Sequence, residues 1–327
     1  MSYLIAIDHG NYATKTMNFN FTSGLITLAS KNTIYNTDMI EYKNQIWAIS
    51  NERIRYMRDK TQDDRFFILT LFSIAKELQF MNVDSPLEAI DLAVGLPPEH
   101  YATLKNKFKE YFQRGKVNFV YNNRPMTIMI QQVLVYPQAY AAVAARAESL
   151  VNYPRVFIVD IGGYTTDVLL IRNGVPDLQF CHTLEDGVIT MYNPIIHRVN
   201  AKHNLLIDED HINAILQGKT THLPDDVIGS VMDSVELHGN DIINKLRELK
   251  VDLRSNPVIF VGGGSLLFKN QFGKSNLITH AKFEENSRAN AIGYHIFGCQ
   301  QIKKMLGHEP LNASQHIESG GAIGENF

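Results

Sequence analysis

Two cysteines in 327 residues give this chain no disulfide framework, and Cys181 and Cys299 fit no metal-ligand spacing. Both read as ordinary thiols of a reducing compartment. An excess of charge of one sign is lacking too: 31 Lys and Arg stand against 34 Asp and Glu, a net charge of −3. So weak a field does not hold nucleic acid nonspecifically, and a protein partner is expected in place of direct nucleic-acid contact. No apolar run approaches the ~20 residues that span a bilayer. The chain enters a strand at Tyr3 with no basic segment or hydrophobic leader, and neither end carries an amphipathic membrane-binding helix. A cytoplasmic protein without membrane contact is the expectation.

What the sequence does contain is a repeat. The segment from Ile5 to Lys15 returns 152 positions later as Phe157 to Asp167, pairing Asp8 with Asp160, Gly10 with Gly162, Tyr12 with Tyr164 and Thr14 with Thr166. Each copy reads as an apolar strand, an Asp-x-Gly turn and a second strand, a hairpin whose tip can hold a phosphate. Strands at 3–7, 14–19 and 25–30 predict one antiparallel meander, and 155–159, 166–171 and 178–182 a second. Length and repeat offset together predict a duplicated α/β fold of two domains. Helices are expected at 64–80, 99–113, 137–150, 187–199, 208–216, 226–250 and 286–302. The first of these is assigned to a small inserted subdomain. From residue 307 onward apolar periodicity fades, which predicts a flexible tail over 307–327.

The candidate chemistry follows from the repeat. Two aspartates on facing hairpin tips repel each other unless a cation lies between them, so Asp8 and Asp160 are assigned to water-mediated Mg2+ binding, with Asp160 also polarising an attacking water. Lys15 stands where the second copy has Asp167; from there an ammonium can reach the β- and γ-phosphates of a nucleotide. Gly10, Asn11, Thr14, Gly162, Gly163, Tyr164 and Thr165 line the same two tips. A third glycine element, Gly262, Gly263, Gly264 and Ser265, follows a buried strand and precedes an expected helix, whose free N–H groups suit a sugar or α-phosphate. The acids at 185–186, beside Gly187, and at 208–210 are weighed against the ribose, and Lys274 and Lys282 against the base.

These motifs in order resemble the actin, hexokinase and heat-shock ATPase superfamily over most of residues 1–302. Within it, the segments Val94 to Pro97, Val159 to Asp167 and Ala289 to Gly293 most resemble the bacterial plasmid-segregation actins of the ParM/StbA type. The resemblance implies RNase-H-like domains around a nucleotide cleft: domain I from 1–150 plus 290–306, with an insert at about 31–90, and domain II from 151–289. It further implies Mg2+ with ATP or GTP, slow hydrolysis, a head-to-tail filament of one or more strands, and a DNA-bound adaptor protein that couples the filament to a plasmid. By motif match Gln138 takes the place of the residue that positions the nucleophile. An amide orients water but is a poor proton acceptor, which disfavours the rival reading of a sugar or acyl kinase. A cell-shape or cell-division actin is the other alternative.

Overall fold

In the computed structural model, which describes residues 2–30, 37–83 and 87–307, the two repeated segments open two separate sheets. The first half runs β1 (Tyr3–His9), β2 (Ala13–Lys15), β3 (Asn20–Thr22), β4 (Leu25–Leu28), β5 (Met39–Tyr42) and β6 (Gln45–Ile49). It continues with α1 (Arg65–Phe80), β7 (Glu88–Leu96), α2 (Pro98–Phe112), β8 (Gly115–Tyr121) and β9 (Arg124–Pro137). A 3-10 helix at Ala141–Arg146 and α3 (Ala147–Leu150) lead into β10 (Val156–Ile161), β11 (Thr166–Arg172) and β12 (Val175–Leu184). The remainder is α4 (Val188–His203), α5 (Glu209–Leu216), α6 (Asp225–Glu248), β13 (Val258–Val261), α7 (Lys269–Phe272), β14 (Ala281–Phe283) and α8 (Ala289–Met305).

The strand orders carry the duplication. The large sheet begins β3-β2-β1-β7-β9 and extends through β8-β5-β6-β4, while the second sheet is β12-β11-β10-β13-β14. In each, a three-stranded antiparallel meander is followed by two parallel strands: β1 pairs β7 in parallel with Ile7 opposite Val94, as β10 pairs β13 with Asp160 opposite Val261. β1, β7, β10 and β13 are near-continuous apolar runs because helices cover both faces of a parallel sheet. The expected α/β fold of two duplicated halves is what the chain adopts.

Helix α1 packs on β1 and β7 with Phe67, Leu71, Ile74 and Leu78 in the core, and Phe66 and Leu69 fill a satellite cluster on its other side. In the second half α4 and α6 cover one face of the smaller sheet, burying Tyr192, Val231 and Ile242. Between the sheets lie the 3-10 helix and α8. They touch at their backbones: a Cβ on Gly293 would stand 1.8 Å from the Ala141 carbonyl oxygen, so only glycine permits this approach.

Three local expectations are corrected. The third strand of the first meander is β3, whereas Leu25–Leu28 crosses to the far edge and pairs β6, with Leu25 opposite Ile49. Alternation alone does not choose between two possible partner edges. The alanine-rich segment expected as one helix over 137–150 is a turn, a 3-10 helix and a single α turn, with Ala139 at φ 60°. The third glycine element runs through successive turns to Phe268, and α7 is only four residues long, so no helix N-terminus stands beside Gly264. The expected tail lies outside the described residues apart from Gly307.

Candidate functional site

The C-terminal ends of β1 and β10 open into one cleft of about 470 Å3 between the halves. Asp8 and Asp160 are on its floor, 4% and 7% exposed. Each is held by one carboxamide. Gln138, fixed by its own N–H to the Leu96 carbonyl (2.8 Å), donates from Nε2 to Asp8 Oδ1 at 2.9 Å. Asn290, at the start of α8, donates from Nδ2 to Asp160 Oδ2 at 2.9 Å and accepts the Ala139 N–H at 3.1 Å. Gln138 and Asn290 are themselves 152 positions apart, the offset of the repeat. The duplication therefore includes the clamps as well as the carboxylates.

Burial raises the Asp160 carboxyl above its ordinary range, an effect the Asp8 charge adds to and the Asn290 bond and Lys15 charge oppose. Burial pushes Asp167 up to about 7, opposed by the Thr183 hydroxyl on Oδ1 (2.5 Å) and by Thr165 on Oδ2 (3.3 Å). His9 is buried between Thr70 and the ring of Phe112, stacked at 4.9 Å. Because the Thr70 hydroxyl donates to the Phe66 carbonyl (2.9 Å), His9 Nε2 is the donor to Thr70 and Nδ1 is left without a partner. Burial, then the Lys60 charge, holds His9 well below its ordinary pKa, so it is neutral.

Of the residues assigned from sequence, the cleft gathers Asp8, Gly10, Asn11, Lys15, Gln138 and Asp160. It also gathers Gly162, Gly163, Tyr164, Thr165, Gly262, Gly263 and Gly264. Gly262 has φ 85°, and a Cβ there would lie 2.3 Å from Asp160 Oδ1. Three assigned residues stand behind the wall. Thr14 bonds the Ser23 hydroxyl at 2.9 Å, Ser265 donates to the Gly262 carbonyl at 2.8 Å, and Gly187 packs on the backbone of Gly163. None of the acids weighed for ribose lines the cleft: Asp186 pairs Lys245 at 2.5 Å, Glu209 pairs Arg53 at 2.6 Å and Asp208 caps α5 through the His211 N–H at 3.1 Å. Lys274 and Lys282 are not in the lining, to which the second half contributes Tyr192, Asn213, Gln217 and Leu267 as well.

Sequence reasoning missed Asn290, Asp167 and Lys60 as cleft residues. Asn290 had a usable signal, a polar residue among the small residues of the segment from Ala289 to Gly293. Among the described residues no group of three or more His, Cys, Asp or Glu side chains could hold a metal by itself. Mg2+ keeps several waters and takes one or two carboxylates plus substrate phosphates, so the pair Asp8 and Asp160 fits a water-mediated ion. No described helix is long and apolar enough to cross a membrane.

Comparison with known proteins bears on this geometry. The family model described as the N-terminal domain of actin-like proteins matches residues 6–140. The model for the C-terminal part of the archaeal MreB-like actin homologue matches residues 158–274. The chain belongs to the actin-like proteins. Among solved structures this actin-like chain is similar to Ta0583, an archaeal actin homolog, at 18% identity and TM-score 0.73, covering 91% of this chain and 99% of that one. A structure of Ta0583 in complex with ADP also matches. A 15-stranded ParM filament from Clostridium botulinum matches at 20% identity and TM-score 0.73, with the same coverage. An AlfA filament bound to AMPPNP matches at 13% identity and TM-score 0.62, covering 93% and 99%. Identities this low establish the fold alone. No curated protein matches the actin-like chain.

Proposed function

We propose that the chain is a plasmid-segregation actin of the ParM/StbA type, an ATPase or GTPase that assembles head to tail in the cytoplasm. Residues 1–150 plus 290–306 form one domain and 151–289 the other, and Mg-ATP or Mg-GTP lies between them. A DNA-bound adaptor protein links the filament to its plasmid, with no direct contact to nucleic acid or membrane. The observation that carries this reading is the pair Asp8 and Asp160, each clamped by a carboxamide on the floor of one cleft between duplicated halves. The filaments among the structural neighbours, one bound to AMPPNP, and the ADP complex of Ta0583 support it.

The residues divide the work by chemistry. Backbone N–H groups at Gly10, Asn11 and Gly163 to Thr165 surround the phosphates, while Gly162 spends its own N–H on the Thr165 carbonyl at 2.8 Å and shapes the turn, and Lys15 supplies a point charge. The Gly262 to Gly264 turn lies beside the sugar. Asp8 and Asp160 hold the water shell of Mg2+, which when bound would neutralise charge on the β- and γ-phosphates. Gln138 spends its Nε2 on Asp8, leaving Oε1 to accept a hydrogen bond from the attacking water. Thr14, Gly187 and Ser265 act from behind the wall by fixing the tips.

Right-angle light scattering with pelleting, after addition of ATP or GTP with Mg2+, tests the reading. Assembly triggered by nucleotide in the native chain and lost in Asp160→Ala is the expected result. A second reading, phosphoryl transfer to a sugar or acyl acceptor, gains one observation, since Asp167 brings into the cleft a carboxyl that burial raises toward the range of a general base. A chain that phosphorylates such an acceptor and never pellets would favour it.

A further inference from the structure

Lys60 is a cleft cation with hydrogen-bonding capacity to spare. It lies in residues 50–64, a strap between β6 and α1 that has neither helix nor strand. The strap is nonetheless firmly fixed. Ile54 donates its N–H to the Ser23 carbonyl at 2.8 Å, and Ile54 and Met57 are buried with Phe66 and Leu69. One residue before Lys60, Asp59 accepts the Thr61 N–H at 3.0 Å and pairs with Lys107 at 2.5 Å. The same strap reaches the second half. Arg53 pairs with Glu209 at 2.6 Å, and the ring of Tyr56 stacks on Tyr164 at 4.8 Å, directly on the second hairpin tip.

From this fixed backbone the half-buried Lys60 ammonium donates to the His9 carbonyl, the residue after Asp8. An ammonium has three donors, and among the described residues this is the single hydrogen bond it makes. Its charge interacts with Asp8 and Asp167, which face it from either half. A cation held in that position is poised for an anion with several oxygens, and it reaches the cleft from a different segment of the first half than Lys15, which ends β2. Sequence gave no hint of it, because the strap lacks periodicity.

We propose that Lys60 is a triphosphate sensor: its ammonium binds the terminal phosphate of the nucleotide, and the strap passes that contact to the second half through Tyr56 and Arg53. The inference rests on the nucleotide reading above and adds discrimination between triphosphate and diphosphate to it. Lys60 contacts the group that differs between the two ligands. Its loss therefore weakens triphosphate binding selectively.

The test measures affinity for a non-hydrolysable triphosphate analogue and for the diphosphate, each with Mg2+, below the concentration at which the full chain assembles. Lys60→Met is expected to lower the triphosphate-to-diphosphate affinity ratio about tenfold or more, with diphosphate affinity within about twofold of the native chain. An unchanged ratio, even with both affinities reduced, would overturn the proposal and leave Lys60 as a structural counter-charge to Asp8 and Asp167. Should the variant not fold, acetylation footprinting of the native chain serves instead. Lys60 modification should fall at least about fivefold with triphosphate relative to diphosphate, as expected for an amine engaged in a charge-assisted bond, and equal modification would overturn the proposal. A native chain that takes up neither nucleotide overturns the nucleotide reading itself, and the sensor with it.

Discussion

The two halves of the cleft share a floor and differ in their walls. Below, Asp8 with Gln138 matches Asp160 with Asn290, bond for bond at 2.9 Å. Above, Lys15 ends a three-residue strand in the first half, whereas Asp167 sits near the start of a seven-residue strand in the second, buried and bonded by two threonines. On the proposed function the floor does a symmetric task, balancing an ion between two carboxylates. The walls do an asymmetric one, with cationic Lys15 and Lys60 from the first half and a raised carboxyl from the second. Duplication supplies the frame, and divergence at one equivalent position sets a cation on one wall against a buried carboxyl on the other.

The symmetric floor breaks most severely at its axis. Gly293→Val puts side-chain atoms into the Ala141 carbonyl and should cost about 3 kcal/mol or more, read as a lower midpoint in urea denaturation. The asymmetric wall is tested next, by pH. The Asp167 carboxyl is about 7 folded against an ordinary 3.8 unfolded, so the folded chain holds more protons between those values and loses stability as pH rises through them. Without nucleotide, Asp167→Asn should remove about 3 kcal/mol of that decline between pH 4 and 8, leaving the variant the more stable chain at pH 8 and not at pH 4. A parallel pH dependence for both chains would refute the raised carboxyl.

The two clamps should then prove unequal. Asn290→Ala removes a bond to a buried carboxylate and strands the Ala139 N–H, for about 2 kcal/mol, whereas Gln138→Ala removes one bond, for about 1 kcal/mol. Gln138→Ala should instead show its larger effect on hydrolysis rate. Equal losses of stability with equal losses of rate would mean that the clamps perform the same task.

The floor was legible in the sequence because its two aspartates sit in strand–turn–strand segments, where period-two alternation and glycine placement are local properties. The strand at Leu25–Leu28 was misplaced because its own pattern fits either edge of a sheet, and tertiary pairing with β6 decides. The segment after Pro137 read as helix from its alanines. Close contact with Gly293 and the bond from Ala139 to Asn290 instead hold it as a turn and a 3-10 helix. Lys60 and Asp167 acquire their roles from distant partners or from burial, neither of which leaves a local trace, whereas Asn290, whose partners lie more than a hundred positions away, showed only as a polar residue among small ones. The same limit assigned Thr14, Gly187 and Ser265 to the nucleotide from sequence when their side chains or backbones pack behind the cleft wall.

Calorimetric titration of the native chain, Asp8→Ala and Asp160→Ala with ATP and GTP, with and without Mg2+, tests the central claim most directly. The account predicts one nucleotide per native chain, with affinity that depends on Mg2+ and falls about a hundredfold in either variant, as loss of a buried charged partner entails. Nucleotide uptake that is indifferent to Mg2+ and to both aspartates, or no uptake at all, would contradict it.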